Sequence, residues 1–397
     1  MEVKGKFKDG NKMSEGKLKT AVLGLNEQGL LLLEAASELG HFEIVAVADK
    51  DGGLAEKVAD RYQCASYDDY RQLISVMDSG LRSEDEKRVN DRKSSEDREN
   101  VEEGEAGNNH KNRSNVGCLL VAAAMHTCDE YVRMAAKKKI NILKLAPVAR
   151  NFEEAAELVH LAEIEDIQIA VGNPCRFARS YLELRDIARE GNIKHVFLIR
   201  AFCGSGQKKH PAWQTDPKLA GGGVLLHNCY QMIDEIILNF GTPEQVYSLN
   251  TSAAGDRQQR LYLTEDTSVV TMKFSDTMSG NLIASRRSET GPEEEFLKIY
   301  GKDKILTVTN KQLVTRDVIS GKSKKLNFDD ESGRYRAMLE NFALSILQPA
   351  NNKLCSSGRE NLTNMAVIDS AYLSARTGMP EEPGKLLQMA QIEPTEI

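Results

Sequence analysis

The chain has 397 residues, with 52 basic against 59 acidic side chains and a formal net charge of −7. At roughly 150 residues per domain this length predicts two or three domains, and the acidic balance gives no reason to expect affinity for nucleic acid or anionic membrane. The longest apolar run, Val116 to Met125, has 10 residues and is too short to cross a bilayer as a helix.

Residues 1–17 are rich in Lys and Gly and read as a frayed arm, without the apolar stretch of a secretory signal. Strand and helix then alternate. Lys19 to Gly24 is a short apolar run ending in glycine, the mark of a buried strand feeding a tight turn. A helix is predicted from Gly29 to Leu39, stopped by Gly40. Phe42 to Ala48 is a second buried strand closed by Asp49, and helices follow at 53–62 and 67–76. In residues 82–115, 18 of 34 side chains are charged, so the segment cannot bury enough surface to offset its ordering entropy. It reads as a disordered insertion spanning about 79–116.

The pattern resumes with a strand from Gly117, a helix over 129–138 and a strand at 141–145 stopped by Pro147. Apolar strands separated by helices indicate a parallel, doubly wound sheet. The second half begins with helices at 152–165 and 181–190 and strands at 167–171 and 195–203. After Gly241 come closely spaced strands at 244–252, 267–274, 280–286, 296–300 and 304–309, as an antiparallel sheet requires. Helices at 335–347 and 359–375 close the chain. The expected class is α/β, with a Rossmann domain at 18–148 and an α+β domain at 149–390 built on a large, mostly antiparallel sheet.

Gly24-Leu-Asn26-Glu-Gln-Gly29 lies where the first strand turns into a helix. In the dinucleotide fingerprint the first glycine makes the turn, the second admits the pyrophosphate and the third lets helix and strand pack. Here Gly24 and Gly29 keep their places and Asn26 holds the second. The acid expected roughly 20 residues on is Asp49, suited to an adenine ribose and favouring NAD, while the adjacent Lys50 leaves NADP open. The competing reading is a Rossmann-like turn kept for packing alone.

Seven cysteines are scattered, odd in number and without a Cys-x-x-Cys pair, so neither a disulfide framework nor zinc spacing is present and a reducing cytoplasm is expected. The sequons at Asn112, Asn250 and Asn361 carry no weight there. His126 and Cys128, with His227 and Cys229, form two His-x-Cys pairs, which is not an established ligand pattern, and no metal is expected. Lys137 to Lys139 complement a helix end rather than bind nucleic acid.

Together these segments resemble the glucose–fructose oxidoreductase / inositol dehydrogenase (Gfo/Idh/MocA) family. The resemblance covers about residues 18–385 and is carried by AVLGLNEQG, VAVADKD, SYDDYRQLI, the run from Val121 to Pro147, NFEEAAELVHLAE and NLTNMAVIDSAYLSARTGMP. Its most specific piece is WQTDPKLAGGGVLLHNCYQMIDEIILNFGTPEQV. The resemblance implies an N-terminal Rossmann domain, a C-terminal sheet whose open face serves substrate binding or homo-oligomer contacts, and NAD(P)-dependent oxidation of a sugar or cyclitol alcohol. A general base must take the hydroxyl proton as hydride departs. In the family a Lys of a Glu-Lys-Pro motif, an Asp and a His do that work.

In this chain Ala146 stands at the Lys position of Leu145-Ala146-Pro147, His227 at the Asp position, Cys229 at a Gly and Gln231 at the His. Upstream, Ala124 replaces a Pro and Cys128 a His. Asp234 and Arg176 remain as matches to the family, and the substrate-side candidates are Arg176, Trp213, His227, Tyr230 and Asp234. His227, Tyr230, Gln231 and Asp234 fall at i, i+3, i+4 and i+7, one face of a helix, and His227 and Gln231 become candidates for a rebuilt relay. Lys144, two residues before Ala146 and so on the same strand face, is a third, and His210 a weaker one. The coenzyme-side positions are Gly24, Asn26, Gly29, Asp49, Lys50, Ala124 and Pro147. Two readings follow: an NAD(P) oxidoreductase with an altered proton relay, and a non-catalytic relative acting as a metabolite sensor or assembly subunit.

Overall fold

The computed structural model describes residues 16–77, 117–206, 211–252, 263–288, 294–328 and 331–394. The charged insertion, His210 and all of the arm but Gly16 and Lys17 lie outside them.

The first sheet has the order β3-β2-β1-β4-β5-β6 and is wholly parallel. Its strands are β1 (Leu18–Leu23), β2 (Phe42–Ala48), β3 (Ala65–Tyr67), β4 (Cys118–Val121), β5 (Asn141–Leu145) and β6 (Ile169–Gly172). β4 and β5 are buried at every position because helices cover both faces, which is why they read as unbroken apolar runs. The crossovers include α1 (Glu27–Glu38), α2 (Gly52–Tyr62), α3 (Tyr70–Val76), α4 (Met125–Lys137) and α5 (Phe152–Ile164). Side-chain caps start several of them: Asn26 for α1, Asp51 for α2, Asp69 for α3 and Asn151 for α5. Chain order reverses between β1 and β4, so the crevice for a ligand opens at their carboxyl ends.

Several boundaries differ from expectation by a few residues, and two of the differences change the topology. The predicted helix at 67–76 begins only at Tyr70, because Ala65–Tyr67 pairs with Ala46–Ala48 as β3 and Asp69 caps the helix behind it. The parallel sheet also runs past residue 148: β6 pairs with β5, and on its far side Val171 N–H donates to Ser356 O (2.8 Å).

The second sheet has the order β14-β13-β12-β11-β7-β10-β9-β8. Every pairing is antiparallel except β7 (Leu198–Gly206) with β10 (Ser279–Ser288). The other strands are β8 (Gln245–Thr251), β9 (Thr267–Lys273), β11 (Glu294–Tyr300), β12 (Lys304–Thr309), β13 (Gln312–Asp317) and β14 (Ser323–Asn327). The last two were not legible, since Ser-Lys-Lys-Leu-Asn is nearly all polar; lysines on an edge strand discourage further pairing. On the opposite edge, β8 is closed by reciprocal bonds between Val246 and Glu381 (2.8 and 2.9 Å).

Helices α6 (Arg179–Arg189), α7 (Pro217–Ala220), α8 (Val224–His227), α9 (Tyr230–Phe240), α10 (Glu331–Leu347), α11 (Gly358–Thr377) and α12 (Pro383–Met389) complete the chain. Although α10 falls in the expected second domain, its Tyr335, Met338, Leu339 and Phe342 pack with Leu32, Leu33 and Ala36 of α1. The first domain therefore takes part of its core from the far end of the sequence. Among the described residues no helix is long and apolar enough to cross a membrane.

Candidate active site

At the end of β1 the chain turns with Gly24 at φ +90°, where a Cβ would stand 2.5 Å from Ala123 N. A Cβ on Gly29 would meet Gly24 O at 2.1 Å. Only glycine fits either position. The Asn26 side chain folds back into the turn: its Oδ1 accepts from Gly29 N–H (2.9 Å) and its Nδ2 donates to Ala122 O (2.7 Å). It thus caps α1 and ties the carboxyl ends of β1 and β4 together. Asp49 accepts N–H groups from Leu25 (2.7 Å, Oδ2) and Asp51 (3.0 Å, Oδ1), one on each oxygen. Each carboxylate oxygen keeps further acceptor capacity. Lys50 is exposed, and Ala124 is the cap residue of α4 without a side-chain bond.

Lys144 does not reach the cleft. It is buried, and its Nζ donates to Pro147 O (3.0 Å) and Val148 O (2.7 Å), so it ties down the turn after β5; burial pulls its ammonium below the usual lysine range. Pro147 contributes a carbonyl to that anchor.

The run after the triple glycine is not one helix. It breaks at Asn228 and Cys229, between α8 and α9, so the four residues expected on a single face go different ways. His227 ends α8, with its ring edge-on to Trp213 (centroids 5.4 Å, 81°) and Nε2 3.0 Å from Ala220 O. Trp213 also packs against His126 (5.0 Å, 39°). The His126 imidazole is pulled below its usual range by burial and by the charges of Lys50 and Arg150. Gln231 accepts from Cys175 N–H (3.3 Å).

Tyr230 and Asp234 turn inward, to Arg176. The guanidinium grips the Asp234 carboxylate with two bonds of 2.6 Å and adds Glu360 (3.0 Å) and Cys355 O. Asn364 donates to Asp234 (2.7 Å), and Asn361 Oδ1 accepts from Asn173, Tyr230 and Asn364. Arg176, Tyr230 and Asp234 are all buried. They were expected to touch substrate, but their polar groups are spent on one another and they form a strut between α9, α11 and the β6 end.

The sequence reading missed Glu265 and Tyr372. Glu265 accepts from Gly223 N–H (2.8 Å), Leu225 N–H (3.0 Å) and Tyr372 OH (2.9 Å). A Cβ on Gly222 would lie 2.1 Å from Tyr372 Oη, and one on Gly223 1.9 Å from Glu265 O. Three consecutive glycines were the available signal that something passes this close.

The cleft itself encloses about 1050 Å³. It runs from Gln28 at the start of α1, past Cys175, Asn228 and Gln231, to Thr307, Asn310 and Lys311 of the second sheet. The first turn, the run after the triple glycine and the sheet thus meet at one opening. Among the described residues no group of His, Cys, Asp and Glu is arranged to hold a metal.

Residues 186–382 match the family described as the oxidoreductase family, C-terminal alpha/beta domain, of the Gfo/Idh/MocA group. The chain belongs to the Gfo/Idh/MocA family. An uncharacterised oxidoreductase of Schizosaccharomyces pombe is 24% identical over 146 residues, which span 36% of this chain and only 39% of that relative. Among solved structures of the same fold is an oxidoreductase from Agrobacterium radiobacter in complex with NAD+, L-tartaric acid and magnesium. It is 16% identical, covers 94% of this chain and 100% of that one, and has a TM-score of 0.73. An aldose–aldose oxidoreductase from Caulobacter crescentus, complexed with glycerol, is 16% identical over 92% of this chain and 100% of its own, at 0.72. A levoglucosan dehydrogenase in complex with NADH and levoglucosan is 14% identical over 92% and 99%, at 0.73. The chain shares the fold of these neighbours over more than nine-tenths of its length.

Proposed function

We propose that this member of the family is an NAD(P)-dependent oxidoreductase acting on a sugar, cyclitol or similar small alcohol, with His227 as its proton-transfer group. The observation that carries the reading is the single opening at which Gln28 of the first turn meets Asn228 and Gln231 of the run after the triple glycine. Asp49 retains acceptor capacity for ribose hydroxyls, and among the described residues no side chain caps the first-turn N–H groups of Glu27 and Gln28. Asn26 removes the Gly29 N–H from that set, so the residues fit a pyrophosphate with one donor fewer. When bound, a nicotinamide supplies the hydride exchange.

The rest falls to the chain's own side chains. A carbonyl oxygen only accepts, so the contact with Ala220 O puts the hydrogen on His227 Nε2 and makes Nδ1 the basic nitrogen. In this reading the His227 imidazole takes the hydroxyl proton. Trp213, against the ring's flank, shields it from water. Gln28, Gln231, Asn310 and Thr307 line the cleft together with the charged Glu294, Glu295, Lys311 and Arg334, a hydrogen-bonding lining that suits hydroxyl-rich ligands.

A second reading is favoured by Ala146 and by the bond of Gln231 to Cys175 N–H: a coenzyme-binding but non-catalytic sensor or assembly subunit. Titration with NADH and NADPH, followed by nicotinamide fluorescence, separates the two. Saturable binding with turnover of a polyol supports the first reading, binding without turnover the second, and no binding removes the redox role.

Association with a second copy through the open sheet face is part of the proposal. Leu249, Val269, Ile283, Phe202 and Phe296 pair in register across five strands as one apolar row on the side away from the helices. Free cysteines throughout the described chain support a reducing compartment, such as the cytoplasm.

A further inference from the structure

A helix of a single turn does not hold itself together: nucleation is unfavourable, and so short a segment has no length over which to recover the cost. α8 is such a segment, four residues long, and His227 is its last. It is held by the burial of Val224, Leu225 and Leu226 in the core and by one buried carboxylate. Glu265 takes the N–H of Gly223 on one oxygen (2.8 Å) and that of Leu225 on the other (3.0 Å), while its own backbone carbonyl takes Val224 N–H (3.0 Å). The orphan donors of the helix start are thereby satisfied from a single residue.

The carboxylate is aimed in turn. Tyr372, on α11, donates its hydroxyl to Glu265 (2.9 Å) and fills the space a side chain at Gly222 would need. At the other end of the turn, His227 N–H closes on Gly223 O (3.0 Å) and its ring reaches Ala220 O (3.0 Å). Tyr372, Glu265, the glycine loop and the His227 ring are therefore linked bond by bond, and the ring ends against Trp213, the only tryptophan in the chain.

We propose that Glu265, oriented by Tyr372, is the positioning residue that holds the His227 ring against Trp213. This rests on the reading of His227 as the proton-transfer group, but its test needs neither coenzyme nor substrate. Histidine would be labelled with carbon-13, and the His227 ring signal assigned by its loss in His227→Ala. In the wild-type protein that signal carries the ring-current shift of Trp213. In Glu265→Gln it is expected to lose most of that shift and broaden, with far-UV circular dichroism unchanged. Tyr372→Phe should move it in the same direction by a smaller amount.

A folded Glu265→Gln variant whose His227 signal stays at the wild-type position overturns the proposal. If Glu265→Gln does not fold, Tyr372→Phe decides: an unmoved signal overturns it, and a shift in the expected direction supports it. Failure of NADH and NADPH to bind would remove the redox reading without altering this ring signal, so the two failures are separable.

Discussion

Two of the molecule's glycine turns, at Gly24–Gly29 and Gly221–Gly223, are crowded by different things. At Gly24 and Gly29 the obstruction is backbone: Ala123 N, Ala122 C and Gly24 O. At Gly222 and Gly223 it includes side chains, the hydroxyl of Tyr372 and the carboxylate of Glu265. The first turn is thus required by the Rossmann architecture whether or not anything binds beside it. The second is required by a clamp built from two distant residues. Glycine at a family position reports close approach, and the structure must say by what.

Substitution should expose that difference. Gly24→Ala combines a left-handed φ with a clash against immovable backbone and should cost the most, ~3–5 kcal/mol in chemical denaturation. Gly222→Ala meets the end of a side chain that can swing, so ~1–3 kcal/mol is expected. The double variant Gly222→Ala/Tyr372→Phe should recover part of that loss, whereas no partner substitution should rescue Gly24→Ala. Equal losses at the two glycines, with no rescue, would erase the distinction.

The helix after the second turn carries a further cost that α1 lacks. Glu235 of α9 is fully buried, and burial, with the nearby Asp234 charge, pushes its carboxyl up to about 8. Above the ordinary carboxylate range the unfolded chain gives up this proton while the folded chain keeps it. Its contribution to stability is therefore full below pH 4.5 and is lost as pH rises toward 8, at on the order of 1 kcal/mol per pH unit. Denaturation midpoints measured from pH 5 to 8 should fall less steeply in Glu235→Gln than in wild type. Asp369, pushed up to about 6 by burial, adds a similar slope confined to the acid end and common to both proteins.

The smallest effects belong to Asn26. Asn26→Ala removes the α1 cap and should cost ~1 kcal/mol, and Asn26→Gly only a few tenths. Under the coenzyme reading Asn26→Gly also returns the Gly29 N–H to the pyrophosphate seat. Tighter NADH binding by fluorescence titration is the expected result, and unchanged or weaker binding would count against that seat.

Much of the fold was legible because buried parallel strands advertise themselves. Val-Ala-Val-Ala before Asp49 and Leu-Leu-Val before Ala122 leave little alternative. β14 was hidden by its lysines, and β3 by its brevity. Within the site, the residue types at positions 146, 227 and 231 could be read directly as Ala146, His227 and Gln231, but the directions of their side chains could not. Helical spacing put His227, Tyr230, Gln231 and Asp234 on one face, and the break at Asn228 and Cys229 undid it. Spacing along a chain also says nothing of carbonyl partners, which is why Lys144 looked available and is in fact anchored. Glu265 and Tyr372 meet the glycine loop from 42 and more residues away, a closeness no local pattern encodes.

The return of α10 to α1 bears on how the protein is made. From Glu38 to Glu331 is 293 residues, the interval between the end of α1 and the start of its cover. At the roughly 5–20 residues per second of protein synthesis, Leu32, Leu33 and Ala36 wait about 15–60 seconds on the ribosome before Met338 and Phe342 arrive. During that interval the nascent first domain presents a greasy helix to its surroundings, and folding assistance matters most there.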